Sequence, residues 1–369
     1  ETDQIDLYKL GHSKLEGAQI ETVTDFEGNS SFQISFQENV LSKDIRFLAV
    51  TPEARRTPIQ IIPKHFTDLN DVQSDADYLI ITHPRFANTE ALQRFIEHRS
   101  GTGHQILTVQ TDDIYDAFNY GRPSTFAIRD YIRSISQSGQ LNYVLLVGDG
   151  CYERPHMTAD TLDYVPVHMR QTFKFGAAAS DHWYALVDGD DRVPDVFLGR
   201  LPVRTIDELS IIVDKIIEYE QLQTPGDWYN RLLMISGNHP QFRTQTLDLA
   251  ADLSPAIQKR FLATLRDAQL EQDPFFGGTA DLLDFFDMGC SIMTFHGHGG
   301  GAVWADNGLL RLDDIERIYS RGRWPVILSM TCFTGAFESP HRRSLAEELL
   351  FSEQGSVAVF AASGVGWFW

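Results

Sequence analysis

Short, nearly continuous apolar runs recur along this chain with helix-patterned segments between them, and that alternation constrains the fold more than any other feature. Tyr78-Leu79-Ile80-Ile81-Thr82, Gln105-Ile106-Leu107-Thr108-Val109 and Tyr143-Val144-Leu145-Leu146-Val147 are the first three runs. A strand that is apolar on both faces must be covered on both faces, as in a parallel sheet with helices on either side. Asn88 or Thr89 caps a helix to about His98, which Gly101 ends, and Ser124 caps another to about Ser136. The third run stops at Gly148-Asp149-Gly150.

After a loop-rich stretch at 149–180 the alternation resumes. Strands are expected at 183–187 and 196–198, flanking the acidic turn Asp188-Gly189-Asp190-Asp191, and a long helix from Thr205 to Glu220. A strand at 232–235, a helix through 244–264, and a helix that Thr279 caps, ending at Met288, come next. A helix from Leu312 to Tyr319 and strands at 291–295, 325–329 and 356–360 complete the pattern. The reading is an α/β protein with a mostly parallel sheet. Ahead of it, residues 1–66 read as the end of a β-rich, sandwich-like domain, because residues 31–36 alternate polar and apolar with period two and 46–50 is a second short run. Residues 67–76 read as a linker, 77–179 as a first α/β subdomain and 180–369 as a second, truncated at its C-terminal end.

Composition narrows the function classes. The chain has 369 residues, is 43% apolar and 22% charged, and carries a formal net charge of −20. That field repels polyanions, and with no basic patch beyond Arg342-Arg343 no nucleic-acid partner is expected. No apolar run approaches the roughly 18 residues of a membrane helix, so no membrane span is expected. Three cysteines do not make a disulfide framework. The chain opens at Glu1 and closes on Trp367-Phe368-Trp369, which suggests a segment of a longer protein whose leader and further domains lie outside it.

The informative stretch is 291–332. One strand runs into Phe295-His296-Gly297-His298-Gly299-Gly300-Gly301, a helix follows, and a second strand runs into Ser329-Met330-Thr331-Cys332. A right-handed crossover sets such strands parallel, with their carboxyl ends side by side, where open α/β sheets place their sites. A thiol beside an imidazole is what a cysteine nucleophile needs. The glycines let backbone approach a substrate and aim N–H groups at a developing oxyanion. A buried core cysteine and a plain glycine turn explain the same residues.

The segment His296-Gly297-His298-Gly299-Gly300, with Trp304-Ala305-Asp306, Thr331-Cys332, Ser344-Leu345-Ala346-Glu347 and Gly355-Ser356-Val357-Ala358, resembles the gingipain family of cysteine peptidases, family C25. Ser180-Asp181-His182-Trp183-Tyr184 and Gly199-Arg200-Leu201-Pro202 resemble the same family's middle section, so the resemblance covers about 77–369. It implies a caspase-like α/β/α sandwich and a secreted or cell-surface endopeptidase acting on a protein or peptide. It also implies Cys332 as nucleophile, His298 as catalytic histidine, and the amides of Gly299 and Cys332 as the oxyanion hole. His296, Met330 and Trp369 are expected to wall the primary pocket.

Three departures stand against the family pattern. The acid that orients the catalytic histidine is matched by His239. The aspartate that gives arginine specificity falls near Ala250, with Asp248 and Asp252 on neighbouring faces. The family's fold also runs on past the position of Trp369. No cofactor is required; Asp188, Asp190, Asp191 and Asp195 can supply oxygens to a structural Ca2+, or form a solvated turn. Three other readings compete: a transpeptidase like the type IX secretion sortase, a catalytically silent binding scaffold favoured by His239, and a zinc hydrolase built on His296, His298 and His239. Cys151 and Cys290 read as structural.

Overall fold

The computed structural model describes residues 4–38, 45–61, 63–69, 75–137, 139–152, 163–222 and 226–366. The chain divides into two compact units, Glu1–His65 and Phe66–Trp369. The first contains β1 (Asp6–Lys9), β2 (Ser13–Leu15), β3 (Gln19–Thr24), β4 (Ser30–Ser35) and β5 (Phe47–Val50). β1 pairs antiparallel with β2 and β5, and β3 with β4. Of the linker expected at 67–76, residues 70–74 lie outside the described residues.

The second unit begins with β6 (Tyr78–Thr82), α1 (Pro84–Ala87), α2 (Glu90–Gly101), β7 (Ile106–Gln110), α3 (Thr111–Asn119), α4 (Thr125–Ser136) and β8 (Tyr143–Val147). Thr89 and Ser124 cap α2 and α4 through their hydroxyls. A short hairpin, β9 (Met169–Gln171) and β10 (Ala177–Ala179), precedes β11 (Phe197–Leu201) and α5 (Ile206–Glu220). The four-stranded sheet has the order β11-β8-β6-β7 and is parallel throughout. Ile114, Ile128, Tyr131 and Ile132 pack on one face, and Leu92, Phe95, Leu209 and Ile212 on the other. β11 therefore belongs to the first sheet, and the division between the two sheets comes after it rather than at 179/180.

The second sheet is built from β12 (Arg231–Ser236), α6 (Pro240–Asp252), β13 (Gln258–Ala263), α7 (Thr279–Met288) and β14 (Ile292–His296). A small sheet follows, made of β15 (Gly299–Gly300), β16 (Val303–Trp304) and β17 (Leu310–Arg311). Then come β18 (Val326–Met330), α8 (Leu345–Phe351) and β19 (Ala358–Ala361). The main sheet has the order β13-β12-β14-β18-β19 and is also all parallel. Alternate residues of β12 divide the faces: Leu232 and Met234 pack under Ala250 of α6, while Leu233 and Ile235 join Phe286, Phe295 and Leu349 opposite. Order reverses between β12 and β14, so the crevice at their carboxyl ends is the switch point of this sheet.

The two sheets share a core through α5 and α8, since Leu350 and Phe351 pack with the α5 cluster. Lys215 of α5 is 3% exposed, and its ammonium donates to the carbonyls of Leu350, Ser352 and Ser356.

Three expectations are corrected. Residues 181–185 form a 3₁₀ helix, not a strand, and bury Trp183, Tyr184 and Ala185 in the first core. The single helix over 244–264 is instead α6, ending at Asp252, followed by β13; Pro255 cannot continue a helix and releases the chain into a parallel strand beside β12. Residues 312–317 are a 3₁₀ helix rather than an α-helix.

Candidate active site

β14 and β18 run side by side, and their last register pair is His296 with Met330. His298 and Cys332 each lie two residues further on, in loops leaving the carboxyl end of the sheet. The loops are in contact. A Cβ built at Gly299 would fall 2.5 Å from Thr331 Oγ1 and 2.9 Å from the Cys332 carbonyl oxygen, so only glycine admits this approach. Cys332 is half-buried, and its thiol reaches the Gly366 carbonyl at 3.5 Å.

Phe333 follows with φ of +60°, a left-handed conformation uncommon for a bulky residue. Phe333 and Gly335 then donate to the carbonyls of Gly364 and Ala362, which pins the loop to the segment after β19.

The His298 peptide is held from both sides. Its N–H donates to Asp306 Oδ2 at 2.6 Å, and its carbonyl accepts from the Ala305 N–H at 2.8 Å. The exposed imidazole meets Phe242 edge-to-face, with centroids 5.1 Å apart. Beneath the loop, Trp304 is fully buried, stacks on Phe295 at 4.5 Å and donates from its indole N–H to Ser329 Oγ at 2.8 Å. The β15–β16 turn is thus anchored to the strand that carries the cysteine.

The N–H groups of Gly299 and Cys332 are both left without a backbone partner among the described residues. The Ala305-to-His298 bond makes Gly299 and Trp304 a non-hydrogen-bonded antiparallel pair, so the Gly299 N–H points away from β16. Among the described residues the Cys332 N–H has no acceptor.

The other sequence-derived residues are placed differently. His239 is exposed and caps α6, its Nδ1 accepting from the Gln241 N–H at 3.2 Å. Phe242 lies edge-on to both His239 and His298, and no hydrogen bond joins the two imidazoles among the described residues. His296 faces α6, its Nδ1 3.3 Å from Thr246 Oγ1, and burial lowers its pKa. Met330 is 40% exposed at the rim, and Trp369 lies outside the described residues. Ala250 is packed on the sheet, whereas Asp248 and Asp252 are exposed.

The acidic turn is self-capped. Asp195 accepts the Val187 and Asp188 N–H groups, Asp188 accepts from Gly189, and Asp191 from Val193. Among the described residues no three His, Cys, Asp or Glu side chains converge as a metal site, neither in this turn with Asp190 nor among His239, His296 and His298. Cys151 and Cys290 are buried, and burial pushes the Cys290 thiol up to about 12.

A cavity of about 720 Å³ lies between the outer edges of β11 and β19; Gly335, Phe337 and Gly364 line it, but His298 and Cys332 do not. It backs onto the cysteine loop and is separate from the paired loops. The sequence reading gave no role to Asp306, Phe242 or Phe333. The Trp304-Ala305-Asp306 motif was the signal for the first of these, and the other two carried none.

The sequence pattern of peptidase family C25 matches residues 71–368, and the chain belongs to that family. It is 20% identical over 341 residues to Gingipain R1 of Porphyromonas gingivalis, covering 88% of this chain and 31% of that protein. It is 20% identical over 355 residues to Lys-gingipain of the same organism, covering 92% of this chain and 19% of that protein. The chain therefore spans less than a third of the length of these relatives.

The solved Arg-specific cysteine proteinase gingipain R superposes with a TM-score of 0.64 at 18% identity, over 80% of this chain and 65% of that one. The complex of Porphyromonas gingivalis RgpB pro- and mature domains gives 0.61 at 19%, over 78% and 64%. The fold is the caspase-like α/β fold of those catalytic domains.

Proposed function

We propose that this chain is a cysteine endopeptidase in which Cys332 attacks the peptide carbonyl and His298 moves the proton. The observation that supports the reading is the His296–Met330 register: His298 and Cys332 each follow it by two residues, beside the switch point of the sheet.

The steps follow from this arrangement. His298 takes the thiol proton, and the thiolate forms a C–S bond to the carbonyl carbon. The carbonyl oxygen becomes an oxyanion that the Gly299 and Cys332 N–H groups receive. On collapse the C–N bond breaks, and His298 returns its proton to the departing amine. A water that loses its proton to His298 then cleaves the thioester, restoring the thiol.

The reading does not include strict basic specificity. A deep arginine pocket needs a carboxylate to offset desolvation of the guanidinium. The matched helix position is Ala250, whose side chain packs against β12. The relatives' family also supports a secreted or cell-surface setting, and among the described residues no helix is long and apolar enough to cross a membrane. Profiling a mixed peptide library with the wild type and Cys332→Ala tests the function. Cleavage by the first and none by the second is expected, while equal cleavage by both removes Cys332 from the chemistry.

A further inference from the structure

Asp306 has no part in the chemistry above, yet it is a tightly enclosed carboxylate beside the paired loops. It is 2% exposed, on the turn after β16. Its Oδ2 accepts the His298 N–H, and its buried Oδ1 has no hydrogen-bond partner among the described residues. A buried carboxylate oxygen with no partner carries a desolvation cost.

Its enclosure is specific. A Cβ at Gly237 would stand 1.9 Å from Asp306 Oδ2, and one at Gly297 would stand 2.2 Å from it. Gly237 is the residue after β12, and Gly297 lies between the two histidines. The carboxylate thus reaches, from a different element, the β12 loop that leads to His239.

We propose that Asp306 is the positioning residue for His298: with the Ala305 N–H it clamps both sides of the His298 peptide and holds the imidazole against Phe242, within reach of Cys332. This rests on the peptidase reading above. The role is carried out through the main chain, so what matters is an acceptor at the Oδ2 position. Asparagine can supply that acceptor and alanine cannot.

The test compares wild type, Cys332→Ala, Asp306→Ala and Asp306→Asn on one peptide substrate, with melting temperature measured beside kcat and KM. Asp306→Ala should lose about 100-fold in kcat with KM within about threefold, and Asp306→Asn should stay within about tenfold of wild type. A purely structural residue would lower the melting temperature and leave kcat per folded molecule unchanged; that result overturns the proposal.

If Asp306→Ala does not fold, amide hydrogen exchange on the wild type decides. The His298 N–H should be protected although the residue is exposed, and free exchange there overturns the clamp. Cys332→Ala keeps the two ideas apart. A dead Cys332→Ala beside a fully active Asp306→Ala defeats only the positioning role. Equal activity of Cys332→Ala and wild type defeats the peptidase reading and the positioning role with it.

Discussion

His296 and Met330 face each other as the last pair of two adjacent parallel strands, and the candidate histidine and cysteine each stand two residues beyond. Equal offsets from a shared register put the two residues in neighbouring loops at the carboxyl end of the sheet. The closeness of the loops is then decided at Gly299, which packs against Thr331 and the Cys332 carbonyl.

Gly299→Ala follows directly. Its methyl would have to displace backbone at the cysteine loop, since the Cys332 carbonyl is 2.9 Å from the Cβ position. Peptide cleavage should fall about 100-fold, as misplacement by an ångström costs that order in rate. The fold should survive, because the loops lie beyond the sheet. Kinetics and a thermal melt on the same preparation check this, and a fully active Gly299→Ala would mean that the loops are further apart.

The two histidines should separate cleanly. On the proposed mechanism His298→Ala removes the proton carrier, and kcat should drop by about three orders of magnitude. His296→Ala removes a half-buried ring from the α6 interface with Thr246. It should therefore lower stability by about 1–2 kcal/mol while leaving most of kcat. Urea unfolding and single-substrate kinetics on both variants distinguish the roles.

Glu338 predicts a pH dependence. Burial pushes its carboxyl up to about 7; its own peptide N–H opposes this, and the Asp181 and Asp149 charges add to it. The unfolded chain ionises this group near 4.5. Between those values the folded state holds a proton that the unfolded chain has released. Stability contributed here therefore falls as pH rises from about 4.5 to about 7 and is level above. Glu347, also pushed up to about 7 by burial and Asp149, acts in the same sense. Glu338→Gln should gain on the order of 1–3 kcal/mol relative to wild type at pH 8 and little at pH 5. Denaturant unfolding at the two pH values measures it, and an equal difference at both would contradict the assignment.

Lys215 should prove a fastener between the sheets. Its ammonium satisfies three carbonyls around the end of α8, although burial pushes its pKa down to about 7. Lys215→Met fills the space but strands those acceptors, which should destabilise the second unit by about 2–4 kcal/mol. A change below 0.5 kcal/mol in urea unfolding would show that water replaces the amine.

What the sequence revealed depended on how local each signal was. Ser124 and Thr205 announced their helices because a cap hydroxyl and the first turn are neighbours in the chain. The paired strand ends were legible because two successive parallel strands of one sheet carry both. β13 was not, because Gln258–Ala263 continues an apolar pattern that reads as helix unless Pro255 is given the last word. Residues 183–187 read as a strand from composition, yet burial of Trp183 and Tyr184 is met by a 3₁₀ turn. Asp306 was visible as part of a motif, but its contact with His298 runs through strands of two residues, too short to leave any periodicity. His239 was singled out by spacing, and only the cap geometry shows that its Nδ1 is engaged with Gln241.

The most direct measurement is alkylation by iodoacetamide at neutral pH, with the modified residue identified by peptide mapping and cleavage followed in parallel. Cys151 and Cys290 are buried, while Cys332 is half-exposed at the paired loops. Labelling should fall on Cys332 alone, at one equivalent, and cleavage should disappear in step with it. Full labelling of Cys332 with cleavage intact would contradict the account.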